Sequence, residues 1–196
     1  MFSDRLEKWL KSDGTKTVGD LEVVFGERSF AILFLLFMFI PALPISTGGI
    51  THVVLLPIVM LSALQMIFGR RILWLPNWAT KRKLGSAVME KGLPFMMRRI
   101  RWFEKYSRPR LAKQLDAAWL RTLAGVLVFI LAVAAFIAPP FSGLDTLPSM
   151  GAVIIALSLV LEDIVLFVAG ALVGAIGIGL IIATAGAITA FLQHFL

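Results

Sequence analysis

The amino-acid sequence predicts an all-α integral membrane protein with two related halves, each a proline-broken helical hairpin, together with amphipathic helices at the membrane interface. Three observations support this fold class. Of the 196 residues, 59% are hydrophobic and 16% charged, which is too apolar for a water-soluble domain of this length. The charged residues are segregated from the apolar stretches. Proline and glycine interrupt those stretches at similar places in the two halves.

The net charge of +7 is unevenly distributed along the chain. Residues 69–121 carry 14 Lys and Arg against three acids, a net charge of +11, whereas residues 122–196 carry three acids and no Lys or Arg. A basic block between two apolar regions fits a cytoplasmic loop that follows the positive-inside rule, and not a nucleic-acid surface. We therefore expect a multi-pass protein whose partners are membrane lipids, with the basic loop against the anionic leaflet.

Residues 1–28 form the first predicted segment. Leu6, Trp9 and Leu10 have the i, i+3, i+4 spacing of an amphipathic helix that lies on a membrane surface. A solvated tail with one apolar face is an equally good interpretation of this pattern.

Residues 29–68 form the first predicted membrane hairpin. Its opening run, residues 30–40, is wholly apolar but only 11 residues long, so as a helix it spans about 16 Å, half of a hydrocarbon core of about 30 Å. Pro41, Pro44 and the Gly48-Gly49 pair then interrupt the helix, because proline removes a backbone donor and clashes with the preceding turn. A second apolar run, residues 53–68, completes a broken hairpin.

Residues 69–121 form the basic linker. Trp74 and Trp78 flank Pro76 directly after the first hairpin and resemble an interfacial anchor. Residues 96–113 predict an amphipathic helix with apolar side chains among several arginines, a pattern that suits the anionic lipid surface.

Residues 122–196 form the second membrane half. The apolar run 122–138 ends at Pro139-Pro140, and a polar break extends to Pro148 before the next apolar run, residues 151–161. Residues 164–196 are long enough for one kinked span or for a short hairpin. Because similar breaks occur in both halves, we expect an inverted-repeat-like arrangement of the kind found in transporters. The breaks are either re-entrant, lining a protected cavity, or loops at the membrane surface.

The hypothesised substrate-binding residues lie in the breaks or at the ends of apolar runs. They are Pro44, Ser46, His52, Arg70, Arg71, Pro140, Ser142, Asp145, Glu162 and Asp163. If the second break is at the far surface, Glu162 and Asp163 lie inside the membrane and need a partner or a watery cavity. If the break is at the midplane, the two acids lie at an interface as ordinary helix-end charges.

Several of these residues also have a simpler interpretation. His52 fits a proton-coupled role or a hydrogen bond to local backbone. Arg70 and Arg71 fit topological anchors or ligands of a lipid phosphate. The Glu27-Arg28 pair before the first run fits a solvated interface pair better than a gate. Gly170 and Gly174 have GxxxG spacing, which predicts close helix packing within the chain or in a homodimer.

The sequence predicts no enzyme, metal site or cofactor. With no Cys and only two His, it lacks thiol chemistry and is short of metal ligands. No segment assembles a nucleophile, a base and an oxyanion donor.

Four parts of the chain together resemble the ExoD exopolysaccharide-synthesis family. The most specific part is Gln65-Met66-Ile67-Phe68-Gly69-Arg70, followed by Trp74-Leu75-Pro76 and Trp78. The others are Gly26-Glu27-Arg28-Ser29 before the first apolar run, Glu104 with Arg108-Pro109-Arg110 in the middle region, and Leu161-Glu162-Asp163 in the second half, with Gly170 beyond it. The resemblance covers roughly residues 18–185. Ile164 departs from it, since a glycine is expected after the acidic pair.

This resemblance implies an integral protein of the bacterial inner membrane that is tied to exopolysaccharide production, and it supplies no catalytic or binding residues. We expect a carrier of an anionic or lipid-linked substrate, with the breaks forming its site. The alternative is a non-catalytic accessory subunit that stabilises a polysaccharide synthase.

Overall fold

The computed structural model describes residues 26–43, 51–70, 74, 101–102, 105, 118–139 and 142–195. This part of the chain is helical and contains no strand. Its five α-helices are α1 (Ser29–Phe39), α2 (Leu56–Ile67), α3 (Ala118–Ile137), α4 (Thr146–Leu161) and α5 (Ile164–Phe195). A 3-10 turn, Gly26–Arg28, leads into α1, and a π-helical turn, Thr51–Leu55, leads into α2. The predicted interfacial helices within 1–25 and 96–113 lie outside the described residues, apart from isolated positions in the second.

Helix α1 is buried on all sides. Every residue from Ser29 to Met38 is buried, as expected for a helix that is apolar around its whole circumference. The helix ends two residues before Pro41, whose ring is incompatible with a continuing helix. Helix α2 has Pro57 in its first turn, where a proline costs no helical hydrogen bond.

The C-terminus of α2 is closed by a glycine motif. Gly69 has a positive φ of 75°. The backbone N–H of Arg70 donates to the Gln65 carbonyl (3.0 Å), and that of Gly69 donates to the Met66 carbonyl (3.1 Å). These two bonds and a left-handed glycine make a Schellman motif, which satisfies the last carbonyls of the helix.

The second half differs from the sequence prediction in two respects. Helix α4 begins at Thr146 and not near Gly151, because Pro148 falls in its first turn and does not interrupt it. The second break is therefore confined to residues 138–145. Residues 164–195 form one continuous helix, which rules out the hairpin alternative.

The helices pack as antiparallel pairs, α1 against α4, α2 against α3, and α4 against α5. The ring of His52, in the turn before α2, lies 6.4 Å from that of Phe136 at the end of α3. At the opposite end, Arg28 pairs with Glu162. Both breaks consequently lie at one end of the bundle. We call it the break end (residues 40–43, 51–55, 138–139 and 142–145), and we call the opposite end the base (residues 26–28, 68–70 and 162–163).

Glycine allows α4 and α5 to approach closely. A Cβ atom on Gly151 would lie 2.6 Å from both the Cα and the N atom of Gly174, and a Cβ on Gly170 would lie 2.8 Å from the backbone N of Ile155. Neither space admits a side chain. The Gly170 and Gly174 pair therefore packs within the chain, against α4 and, at Gly174, also against Leu131 of α3.

Two of the described helices are long and apolar enough to cross a membrane. They are Ala118–Ile137 and, within α5, Ile164–Phe191. Only 22% of the most apolar 18-residue window of α5 is buried, so its aliphatic side chains are mostly on the outside of the bundle. A surface of this kind fits a membrane protein.

Candidate functional site

The hypothesised site residues divide between the two ends of the bundle. His52, Ser142 and Asp145 lie at the break end, whereas Arg70, Glu162 and Asp163 lie at the base. Helix α4 separates the two groups and spans about 24 Å at 1.5 Å per residue. The structure therefore does not bring the predicted arginine and the acidic pair to the breaks. Four of the predicted residues, Pro44, Ser46, Arg71 and Pro140, lie outside the described residues.

His52 is the most unusual side chain at the break end. It lies in the π-helical turn. Such turns are rare in proteins, and those that occur are often found at functional sites. Its Nε2 atom is buried and has no hydrogen-bond partner among the described residues. The neighbouring Phe136 ring belongs to the other half of the bundle, so His52 lies where the two halves meet. A buried ring nitrogen without a partner is available to a ligand.

Ser142 and Asp145 shape the second break. The Ser142 hydroxyl donates to the Pro139 carbonyl (2.7 Å) and accepts from the backbone N–H of Leu144 (3.2 Å), which accounts for this residue as a turn former. Asp145 precedes α4, and its side chain makes no capping hydrogen bond. Its carboxylate remains half-buried beside the positive end of the α4 dipole.

Ser149, in the first turn of α4, is a candidate that the sequence analysis missed. The buried hydroxyls of Ser62 and Ser158 both donate to backbone carbonyls of their own helices, at 2.7 Å and 2.6 Å. Ser149 is also fully buried, but its Oγ has no partner among the described residues, and the same holds for Ser29 at the start of α1. An unsatisfied buried hydroxyl is costly. Ser149 differs from the other buried serines of the helices only in its place in the packed bundle. No sequence signal could therefore have identified it.

The base is closed by an ion pair between the two halves. Arg28 Nη2 donates to Glu162 Oε1 at 2.7 Å, and 50% and 31% of the two side chains are exposed. The pair connects the residue before α1 to the residue after α4. The expectation that Arg28 belongs to a solvated pair with its neighbour Glu27 does not describe this contact, because the arginine reaches across the bundle.

The two acids at the base have different roles. Glu162 ends α4 in the left-handed conformation, with φ 58° and ψ 38°. Asp163 is buried, and its Oδ1 accepts a hydrogen bond from the backbone N–H of Val165 (3.0 Å), so it caps the N-terminus of α5. The acidic pair therefore forms the corner between α4 and α5. Both acids thus lie at helix ends, and the interfacial alternative for these two charges stays a prediction.

Gln65 explains part of the string that carries the family resemblance. Its side-chain Nε2 donates to the Trp74 carbonyl (2.6 Å), and its Oε1 accepts from the Trp74 backbone N–H (2.8 Å). A primary amide offers this donor and acceptor on two neighbouring atoms without a change of protonation state. Gln65 thus holds the chain after α2, and the Arg70 side chain beside it is exposed. Among the described residues, no three His, Asp or Glu side chains group as metal ligands.

Comparison with known proteins identifies a matching family and a relative. The sequence model of a family described as "Exopolysaccharide synthesis, ExoD" matches residues 2–183. The chain is 28% identical over 161 residues to the uncharacterized protein slr1875 of Synechocystis sp., an alignment that covers 79% of this chain and 73% of that protein. No solved structure matches the chain.

Proposed function

The chain belongs to the ExoD exopolysaccharide-synthesis family, and from this premise we propose that it is a multi-pass protein of the bacterial inner membrane that carries an anionic or lipid-linked substrate for exopolysaccharide synthesis or export. The break end forms the substrate site. The observation that carries the proposal is the buried and unpartnered Nε2 of His52, placed between the two halves beside both breaks. The proposed function includes no catalytic step.

The depth of the break end supports a re-entrant site. A Cβ on Gly177 of α5 would lie 2.6 Å from Pro148 Cδ, so the start of α4 is level with Gly177. The apolar length of α5 runs from Ile164 at the base to Phe191, and Gly177 lies at its middle. Pro148 is then about 20 Å from the base, and residues 142–145 lie beyond it at about 24 Å, short of the far side of a hydrocarbon core of about 30 Å. Non-helical backbone at such a depth needs a shielded cavity.

The direction of the helices supports a parallel relation between the halves. Helices α1 and α2 lead to and from the first break, α3 and α4 lead to and from the second, and both breaks lie at the same end. An inverted repeat would place its second break at the opposite end. We therefore replace the inverted arrangement with two hairpins of the same direction, related by an axis along the bundle, a relation that transporters also use.

The chemistry of the break end suits a phosphate or a sugar hydroxyl. The start of α4 presents the positive end of a helix dipole, which the adjacent Asp145 carboxylate partly offsets, and that carboxylate can accept a hydrogen bond from a sugar hydroxyl. His52 and the fully buried Ser149 add one ring nitrogen and one hydroxyl without partners. Arg70 lies at the base and takes a different role, as a contact to the lipid phosphates of the anionic leaflet.

Cysteine accessibility tests the depth of this site, because the natural chain has no Cys. We expect Ser142→Cys to react with a small impermeant thiol reagent from one side only, and we expect depth-dependent quenching by lipid-phase probes to place it inside the hydrocarbon layer. The matched control is Val165→Cys at the base, which should report the interface. Free reaction of Ser142→Cys with large reagents would reduce the break to a surface loop.

Substitution of His52 tests the site itself. We expect His52→Ala to abolish exopolysaccharide production at a normal protein level, because the substrate loses its contact between the two halves. The control is His194→Ala, which changes the other histidine, an exposed residue near the end of α5. Normal production by the His52 variant would contradict the proposed site.

A second candidate is the accessory subunit of a polysaccharide synthase, and the outer face of α5 favours it. Val165, Val168, Leu172 and Ile176 repeat at helical spacing, and each is at least half exposed. Because Gly170 and Gly174 already pack against α4, a partner or a second copy would have to use this aliphatic face. Leu172→Ala should then reduce co-purification of a synthase subunit without lowering the protein level. Transport by the purified protein alone would count against this candidate.

A further inference from the structure

The contact between Arg28 and Glu162 joins the two halves of the bundle across 134 residues of sequence. It links the N-terminus of α1 to the C-terminus of α4, and it is the only ion pair between these two helix ends among the described residues. Along the rest of its length, α1 contributes a wholly apolar surface to the core, apart from the buried Ser29. The charged contact between α1 and α4 is therefore confined to the base.

The backbone of Glu162 shows that its side chain is needed at this corner. At the three other positions where the described chain takes a positive φ, residues 26, 69 and 143, it uses glycine, with φ values of 53°, 75° and 72°. At position 162 the chain needs the same left-handed conformation and holds a glutamate. This conformation strains any residue that has a Cβ atom, and glycine would adopt it freely. Strain at such a position points to a role for the side chain, and the visible role is the bond to Arg28.

The ion pair is also built to open. Half of the Arg28 side chain and 31% of the Glu162 side chain are exposed, and pairs as exposed as this stabilise a protein only weakly. Opening the pair leaves the corner intact, because Asp163 caps α5 independently through Val165. The α4–α5 unit can then move as one body, with its glycine seam unchanged.

From these three observations we propose that Arg28 and Glu162 form a reversible latch that holds the base of the bundle closed. When the latch is closed, the start of α1 is fixed to the corner between α4 and α5. When it opens, the start of α1 separates from that corner, while α2 stays packed on α3 where Gly125 approaches Ile67 and the break end keeps its contacts. The latch goes beyond the proposed function, since it stands whether or not the chain carries a substrate.

The test measures a distance across the base in the full-length protein in lipid nanodiscs. Nitroxides are attached at Gly26→Cys, in the turn before α1, and at Val165→Cys, in the first turn of α5, two exposed positions at the base, and double electron–electron resonance reports the distribution of distances between them. We expect one narrow distribution in the otherwise native chain. Arg28→Gln and Glu162→Gln should each cause loss of this narrow distribution and the appearance of a longer distance. The exchange Arg28→Glu with Glu162→Arg should restore it.

A second label pair separates a latch from general loosening. Val53→Cys and Ile137→Cys lie at the break end, again one in each half and both exposed. Their distance distribution should be the same in the native, single-substituted and charge-exchanged proteins. Equal broadening at both ends would overturn the latch and leave the pair with a purely structural role.

Salt gives a test that requires no substitution in the latch. At about 1 M salt the Debye length falls to about 3 Å, so the attraction between exposed charges is largely screened. The native base distance should shift toward the longer population, and the Arg28→Gln protein should show no further shift. An unchanged distance in all single variants and at high salt would overturn the proposal, as would a failure of the charge exchange to restore the native distance.

Discussion

Gly151→Ala is the substitution for which the structure makes the sharpest prediction. The added Cβ would lie 2.6 Å from the Cα and N atoms of Gly174 and 2.8 Å from the carbonyl oxygen of Gly170. All three atoms belong to the backbone of α5, so no side-chain rotation can make room. Carbon atoms in good contact are about 3.5–4.0 Å apart, and the two helices would have to separate by about 1 Å along much of their length.

This separation of α4 from α5 determines how far Gly151→Ala lowers the free energy of unfolding. Overpacking of a well-packed core costs about 1–3 kcal/mol, and a clash with rigid backbone belongs at the upper end, about 3 kcal/mol. Gly174→Ala should cost less, because the nearest atoms belong to the side chain of Leu131, which can change rotamer. We expect thermal unfolding in detergent, followed by circular dichroism, to rank the variants with Gly151→Ala the least stable.

Gly179 and Gly186 provide the controls. A Cβ at either position meets nothing within 4 Å, and both are in the interior of α5. Replacing glycine by alanine in an open helix stabilises it by about 0.5–1 kcal/mol, so these two variants should unfold at the same temperature or higher. If Gly151→Ala were as stable as Gly179→Ala, the close approach of α4 and α5 would be wrong.

Three further predictions concern single residues whose contacts are defined. Gln65→Leu should destabilise the chain by about 2–3 kcal/mol, since it removes both hydrogen bonds to Trp74 and leaves that backbone unpaired; recovery in Gln65→Glu would contradict this, because a carboxylate cannot donate. Asp163→Ala should cost about 1 kcal/mol through loss of the bond to the Val165 N–H, and Asp163→Asn, which can still accept that bond, should cost less. Glu162→Gly should be at least 1 kcal/mol more stable than Glu162→Ala, because both lose the ion pair and only glycine relieves the left-handed backbone; equal stabilities in a urea titration would refute the strain.

The helices were predictable because runs of apolar residues indicate helices and prolines indicate where they are interrupted, and both are local features of the sequence. The run at residues 30–40 became α1 with little change, because ten consecutive buried residues leave no alternative to a helix surrounded by protein. The start of α4 was misplaced because a proline was treated as a break where it falls in a first turn. Whether a proline ends a helix or begins one depends on the residues before it, and Asp145 is of a type preferred at a helix start, although its side chain makes no capping hydrogen bond here.

The site was less predictable because it depends on contacts between distant residues. The sequence leaves Glu162 either inside the membrane, where it needs a partner, or at an interface, and it contains 19 Lys and Arg that could pair with this acid. Only the antiparallel packing of α1 on α4 selects Arg28. Ser149 was missed for the same reason, since a serine in an apolar helix is common and its lack of a partner is visible only in three dimensions.

The positions of the charges along the bundle support one orientation for the whole protein. The base holds Arg28, Arg70, Glu162 and Asp163, whereas Asp145 is the only acid described at the break end. Helix α2 ends at the base and α3 begins there, so the basic segment that connects them leaves and re-enters the bundle on that side. Under the positive-inside rule, the net charge of +11 on residues 69–121 predicts that the base faces the cytoplasm. The proposed site at the break end would then open toward the opposite leaflet, which the side from which Ser142→Cys reacts with an impermeant reagent would test.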